Sequence, residues 1–166
     1  MRSKAKEPLA TYKDAYNFAL DKLALRDHSS AELRTKLAER QCPEDIRDQV
    51  IQKLTEHHFL DDARCAEHVL AAWRRKGVYG RQYLRLMLQK RAIPGPYDGL
   101  MLEQVGDAEE TQRARTLARK ERERLHRKYP DDDRKGKAAL ARMLASRGFT
   151  TGAIASVLDD YDEETD

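Results

Sequence analysis

The chain has 166 residues, of which 37% are charged and only 7% aromatic, so a unit of about fifty residues would be near the lower size limit for stability on its own. Its formal net charge of +3 hides a basic middle and an acidic end, which points to a polyanionic or charge-patterned partner. Two cysteines are too few for a disulfide framework, and no long apolar run or leader pattern is present, so the expectation is a soluble cytoplasmic protein without a membrane span.

Residues 1–10 are expected to form a flexible N-terminus, because Met1 to Pro8 are polar and basic and show no periodicity. A helical stripe follows at Tyr12, Tyr16, Ala19, Leu20 and Leu23, and Asp27-His28-Ser29-Ser30 breaks it. Ser29 and Glu32 have capping-box spacing, which predicts a helix from there to about Gln41. Pro43 suits the first turn of the next helix, and Glu44 and Asp45 complement its dipole. Asp61 is the expected N-cap of a helix that turns Ala63, Ala66, Leu70 and Trp73 inward and stops at Gly77. Gly80 marks the start of the next helix, which Pro94-Gly95-Pro96 ends, and a short weak helix runs on to about Val105. A long charged helix is predicted from about Ala108 to Lys128, then helices at about Arg134–Arg147 and Thr150–Tyr161 with Gly148 as the cap between them.

One pattern recurs three times along this series. Leu33–Leu37 ends at Cys42, Leu84–Leu88 at Ile93 and Leu140–Leu144 at Phe149, and each stop is followed by a second apolar stripe. A spacing of about 50 to 56 residues marks tandem helical units. The fold expected is all α: three tandem three-helix repeats in an elongated, curved array. The repeats are placed at 11–58, 59–106 and 107–161, with an acidic tail at 162–166. Cys42 and Cys65 both fall on apolar positions and are read as small buried hydrophobes.

The string RDHSSAELRTKLAER (Arg26 to Arg40) resembles the opening signature of the RecX family, regulators of the RecA recombinase. FLDDARCAE (Phe59 to Glu67), RRKGVYGRQYLRLMLQKRAI (Arg74 to Ile93) and LARMLASRGFTTGAI (Leu140 to Ile154) extend the likeness over nearly the whole chain. The resemblance implies a curved body lying in the groove of the RecA–DNA filament and bridging neighbouring protomers. Arrested filament growth and lower ATPase, strand-exchange and co-protease activity of RecA would follow. Two departures stand out. Gln41 and Ala92 replace the glycine usual before the apolar stop, which puts the cap geometry there in question, and Cys65 replaces a usual aromatic.

The main candidate binding surface is basic: Arg74, Arg75, Lys76, Arg81, Arg85, Lys90 and Arg91. No acid occurs between His68 and Tyr97, whereas a solvated face normally mixes signs. Guanidinium groups suit either a carboxylate-rich protein groove or a phosphate backbone, and whether DNA is contacted is left open. A secondary basic surface comprises Arg113, Arg115, Arg119, Lys120, Arg122 and Arg124, interrupted by Glu121 and Glu123. Asp159 to Asp166 carry six carboxylates and no base. They read as a solvating tail, with shielding of the basic middle as the competing idea. His57-His58 with the two cysteines match no zinc framework, and no phosphate loop or nucleophile motif appears. No metal, cofactor or catalytic residue is therefore expected, and the chain is read as a monomer. Two alternatives stand beside the filament regulator: a DNA-binding protein of helix-turn-helix-like units, and a helical scaffold for other proteins.

Overall fold

The computed structural model describes residues 7–130 and 132–163, with side chains through residue 160. It contains nine helices and no strand among the described residues. By its internal contacts the chain separates into two compact units. The first comprises the residues up to His68 together with Leu88–Asp98, and the second comprises Val69–Met87 and the chain from Gly99 onward.

The first unit contains α1 (Tyr12–Leu25), α2 (Ser30–Ala38) and α3 (Glu44–Glu56). Ala15, Ala19, Leu33, Leu37, Cys42, Val50 and Leu54 are buried together, as the leucine pair and its stop at Cys42 predict, whereas in α1 Tyr12 of the expected stripe is exposed and Ala15 takes an inward place. Ser29 caps α2 through a reciprocal box. Its hydroxyl accepts from the Glu32 N–H at 3.1 Å, and its own N–H donates to the Glu32 carboxylate at 3.2 Å. Such a cap contributes about 1 kcal/mol. Pro43 sits at the N-cap of α3, one residue before its first turn. Leu9, within the stretch expected to fray, is buried, and its N–H donates to the Arg40 carbonyl at 2.9 Å. Residues 1–6 lie outside the described residues.

The second unit contains α7 (Asp107–Lys128), α8 (Asp133–Ser146) and α9 (Thr151–Glu163), packed around Ala114, Leu117, Leu125, Leu140, Leu144, Phe149, Ala153 and Val157. Helices α4 (Asp62–Lys76), α5 (Arg81–Lys90) and α6 (Gly95–Glu103) each have residues in both units. Asp61 accepts from the Arg64 N–H at 2.9 Å, the N-cap expected for α4. Trp73 is fully buried on the same helix. Helix α6 already begins at Gly95, because prolines at the very start of a helix remove only donors that would go unpaired there.

The threefold pattern corresponds to one local structure made three times. The second leucine of each pair accepts from the apolar stop five residues on: Cys42 to Leu37 at 3.1 Å, Ile93 to Leu88 at 3.1 Å and Phe149 to Leu144 at 3.2 Å. A second bond lies inside each: Gln41 to Ala38, Ala92 to Gln89 and Gly148 to Ala145, at 2.8, 2.8 and 2.9 Å. This pair of bonds is the Schellman arrangement, which satisfies carbonyls left over at a helix end. It places the intervening residue in the left-handed region, with φ of 55° at Gln41, 46° at Ala92 and 78° at Gly148. The two departures from glycine thus keep the glycine conformation, held there by the flanking bonds at the cost of a crowded Cβ.

The start of a helix docks on one of these corners in each unit. In the first, the Ser29 hydroxyl points at the carbonyls of Arg91 and Ala92, at 2.8 and 3.1 Å. In the second, the N–H groups of Gly80 and Gln82 donate to the carbonyls of Arg147 and Gly148 at 3.0 and 2.9 Å. A Cβ on Gly80 would lie 2.3 Å from the Gly148 carbonyl oxygen, so only glycine fits there.

Candidate partner-binding surface

The site is best understood from its acids, which sequence order did not reveal. Glu110, in the first turn of α7, is 0% exposed. Its carboxylate accepts from the N–H groups of Arg81 and Thr150 at 2.8 and 3.1 Å and from the Thr150 hydroxyl at 2.8 Å, and the Arg81 guanidinium lies 3.6 Å away. One buried carboxylate therefore serves the starts of both α5 and α9. These donors offset the cost of taking its charge out of water. No pattern in the acidic first turn of α7 distinguishes Glu110 from Glu109, so the sequence reading missed it.

Acids from elsewhere in the chain also engage three of the seven residues of the main basic surface. Arg74 meets Glu109 with two bonds of 3.1 and 3.0 Å, and the hydrogen bond to Glu109 raises its pKa. Arg81 also reaches Asp107 at 2.7 Å and the Val105 carbonyl at 3.0 Å. Arg91 lies 3.2 Å from Glu32, 3.6 Å from Asp27 and 3.3 Å from the Cys65 sulfur. Partial burial pushes the Asp27 and Glu32 carboxyls up. Hydrogen bonds and nearby cations, above all His68 for Asp27 and Arg26 for Glu32, outweigh that and leave both lowered. An acid-free run in the sequence is thus not an unpaired run in space.

The remaining four are placed differently. Arg75, Arg85 and Lys90 are exposed and have no polar partner among the described residues. Lys76 lies against tyrosines. The rings of Tyr79 and Tyr83 stack with centroids 3.9 Å apart and planes within 13°, and the Lys76 ammonium is 5.4 and 5.2 Å from their centres. Arg147 approaches Tyr79 at 5.7 Å. A ring face attracts a cation without neutralising it, so net positive charge in this unit persists at Arg75, Lys76, Arg85 and Arg147.

Within the secondary surface, Arg113 belongs to the framework. Its guanidinium lies 3.8 Å over the Trp73 ring and donates to the Trp73 carbonyl at 3.0 Å, and burial lowers its pKa. Trp73 in turn donates its indole N–H to the Gly80 carbonyl at 3.0 Å. Arg115 is bound to Asp160 at 2.6 Å, and Arg124 to Glu121 at 2.7 Å. Arg119 and Lys120 are exposed, and Arg122 is half-buried on the same helix. Asp160 thus ties the beginning of the acidic segment to α7. The side chains of 161–166 lie outside the described residues, as does the shielding idea where it depends on them.

Both thiols are free and buried. Burial raises the pKa of Cys42 and pushes that of Cys65 up to about 12, so both remain protonated at neutral pH. Among the described residues no group of three His, Cys, Asp or Glu side chains is arranged to hold a metal ion. None of the described helices is long and apolar enough to cross a membrane.

Models of the first and third three-helix domains of RecX match residues 15–54 and 108–158. The regulatory protein RecX of Cronobacter sakazakii is 36% identical, over 90% of this chain and 96% of its own length. That of Mycolicibacterium smegmatis is 32% identical, over 93% and 82%. The crystal structure of RecX from Lactobacillus salivarius shares the fold, with a TM-score of 0.80 at 24% identity over 92% of this chain and 97% of that one. With its all-α array of helical repeats and relatives named as regulatory proteins, the chain belongs to the RecX family.

Proposed function

We infer that this chain binds the RecA recombinase–DNA filament along its groove and restrains filament extension, ATPase, strand exchange and co-protease activity. In this reading it is a non-catalytic cytoplasmic monomer, with repeats at 11–58, 59–106 and 107–161, and it modulates recombination and repair. Support comes from family membership and from relatives named regulatory proteins. The observation that carries the choice of surface is the pair of stacked tyrosines faced by Lys76 and Arg147, on the same unit as Arg75 and Arg85, which are exposed and have no polar partner among the described residues. Arginine and tyrosine together are typical of the residues that dominate interface energies. Cations without internal carboxylates can meet acidic side chains of a filament groove without first breaking a native pair. Inhibition then follows from holding neighbouring protomers against the motion that turnover and growth require.

The test is a Arg75→Glu/Arg85→Glu double variant assayed against the DNA-dependent ATPase of assembled RecA. The expected result is a half-inhibitory concentration raised about tenfold or more, with helical circular dichroism unchanged. Unaltered inhibition would remove this surface from the reading. Arg81→Glu is the contrasting variant, because its primary effect should be loss of stability through Glu110 and Asp107.

A further inference from the structure

A second basic site lies at the far end of α7, in a cleft of 320 Å³ between that helix and α8. Leu125 and Met143 form part of its apolar floor, and Tyr129, the C-cap residue of α7, contributes a phenol ring. Three cations line it, Arg124 and Lys128 from α7 and Arg142 from α8, and no carboxylate does. Arg124 is paired with Glu121 at 2.7 Å. The Lys128 ammonium lies 5.4 Å from the centre of the Tyr129 ring, and neither Lys128 nor Arg142 has an ion-pair partner among the described residues. Two positive charges therefore line an aromatic-sided cleft with no paired carboxylate among the described residues.

We propose that this cleft is a nucleotide site, taking a phosphate on Arg142 and Lys128 and a base against Tyr129. Three features of the cleft favour this ligand. Its volume falls in the range of about 300–1,000 Å³ usual for small-ligand clefts, far more than a single carboxylate would occupy. A guanidinium and an ammonium together suit a multiply charged phosphate better than one acid side chain. An apolar floor beside a phenol ring accepts the flat face of a base, a contact worth about 1–3 kcal/mol. The nucleotide can come from a free mononucleotide or from one residue of a single strand.

The experiment is a titration of isotope-labelled full-length protein, followed by amide and side-chain chemical shifts. The probes are AMP, a 5′-phosphorylated tetrathymidylate, inorganic phosphate and polyglutamate. Saturable shifts centred on Tyr129, Lys128 and Arg142 are expected, with AMP or the oligonucleotide binding more tightly than inorganic phosphate. Saturation by AMP identifies the free nucleotide as the source, and saturation by the oligonucleotide alone identifies a strand. Arg142→Glu should weaken that binding at least tenfold with the helix content intact. Tyr129→Leu should weaken AMP or oligonucleotide binding but not phosphate binding. The proposal is overturned if neither nucleotide probe gives saturable shifts at millimolar concentration, if polyglutamate binds as tightly, or if Arg142→Glu leaves the affinity unchanged.

Discussion

The two units dock a helix start onto a corner of the same geometry, but they hold it by different chemistry. In the first unit the joint is made of side chains. Asp62 accepts from the N–H and hydroxyl of Ser30 at 2.7 and 2.6 Å, Arg26 and Arg91 converge on Glu32, and His28 is buried beside them, its ring nitrogen donating to the Arg26 carbonyl at 3.0 Å. In the second unit backbone lies on backbone at Gly80 and Gly148, with one sealed carboxylate, Glu110, serving two helix starts. A joint of partly exposed ion pairs should respond to pH and salt. A joint of close-packed backbone should respond to added volume.

The sharpest break in that comparison is Glu110→Ala, which strands the donors of Arg81 and Thr150. A loss of about 3–5 kcal/mol is expected in chemical denaturation, and a cost under about 1 kcal/mol would mean the buried carboxylate is dispensable. Next is Gly80→Ala, expected to cost about 3 kcal/mol because the added methyl meets fixed backbone. Trp73, the sole tryptophan, reports the second unit directly by its fluorescence in both experiments.

Acid should act on the first unit. Asp27 and Glu32 are held below their ordinary 3.8 and 4.5, so the stability they contribute is present above those values and lost as pH falls through their lower folded values. Burial likewise holds His28 below 6.5. Protonation then favours the unfolded chain, and loss begins as pH drops beneath 6.5. In the second unit Asp132, beside Lys135, is held below its ordinary 3.8, so the loss it adds begins only beneath that value, after that of His28. Helical circular dichroism should therefore decline before Trp73 fluorescence responds, and the reverse order would contradict the assignment. The smallest effect expected is a gain. Ala92→Gly relieves a left-handed alanine at the first unit's corner and should raise stability by about 0.5 kcal/mol.

The parts of this molecule that were legible in sequence are those decided within one or two turns. The leucine pairs, the Ser29 box, the Asp61 cap and the stop at Gly148 depend on neighbours a few residues away, and they form where expected. The basic surface was legible as a count of charges and not as an arrangement. Arg74 and Arg81 find Glu109 and Glu110 about thirty residues onward, and Arg91 finds Glu32 some sixty residues back. Local spacing rules contain nothing about such partners. The same limit explains why Arg113, which looks like one member of a charged helix face, stacks on the indole at the centre of its unit.

The two sealed thiols also have an experimental use. With Cys42 and Cys65 both buried and held in the protonated form, the chain as it stands is a nearly silent background for sulfhydryl chemistry. A cysteine placed at Arg75 or Arg85 would be the reactive one. A photocrosslinker or spin label could be put at a chosen point of the surface without removing either native cysteine from the core.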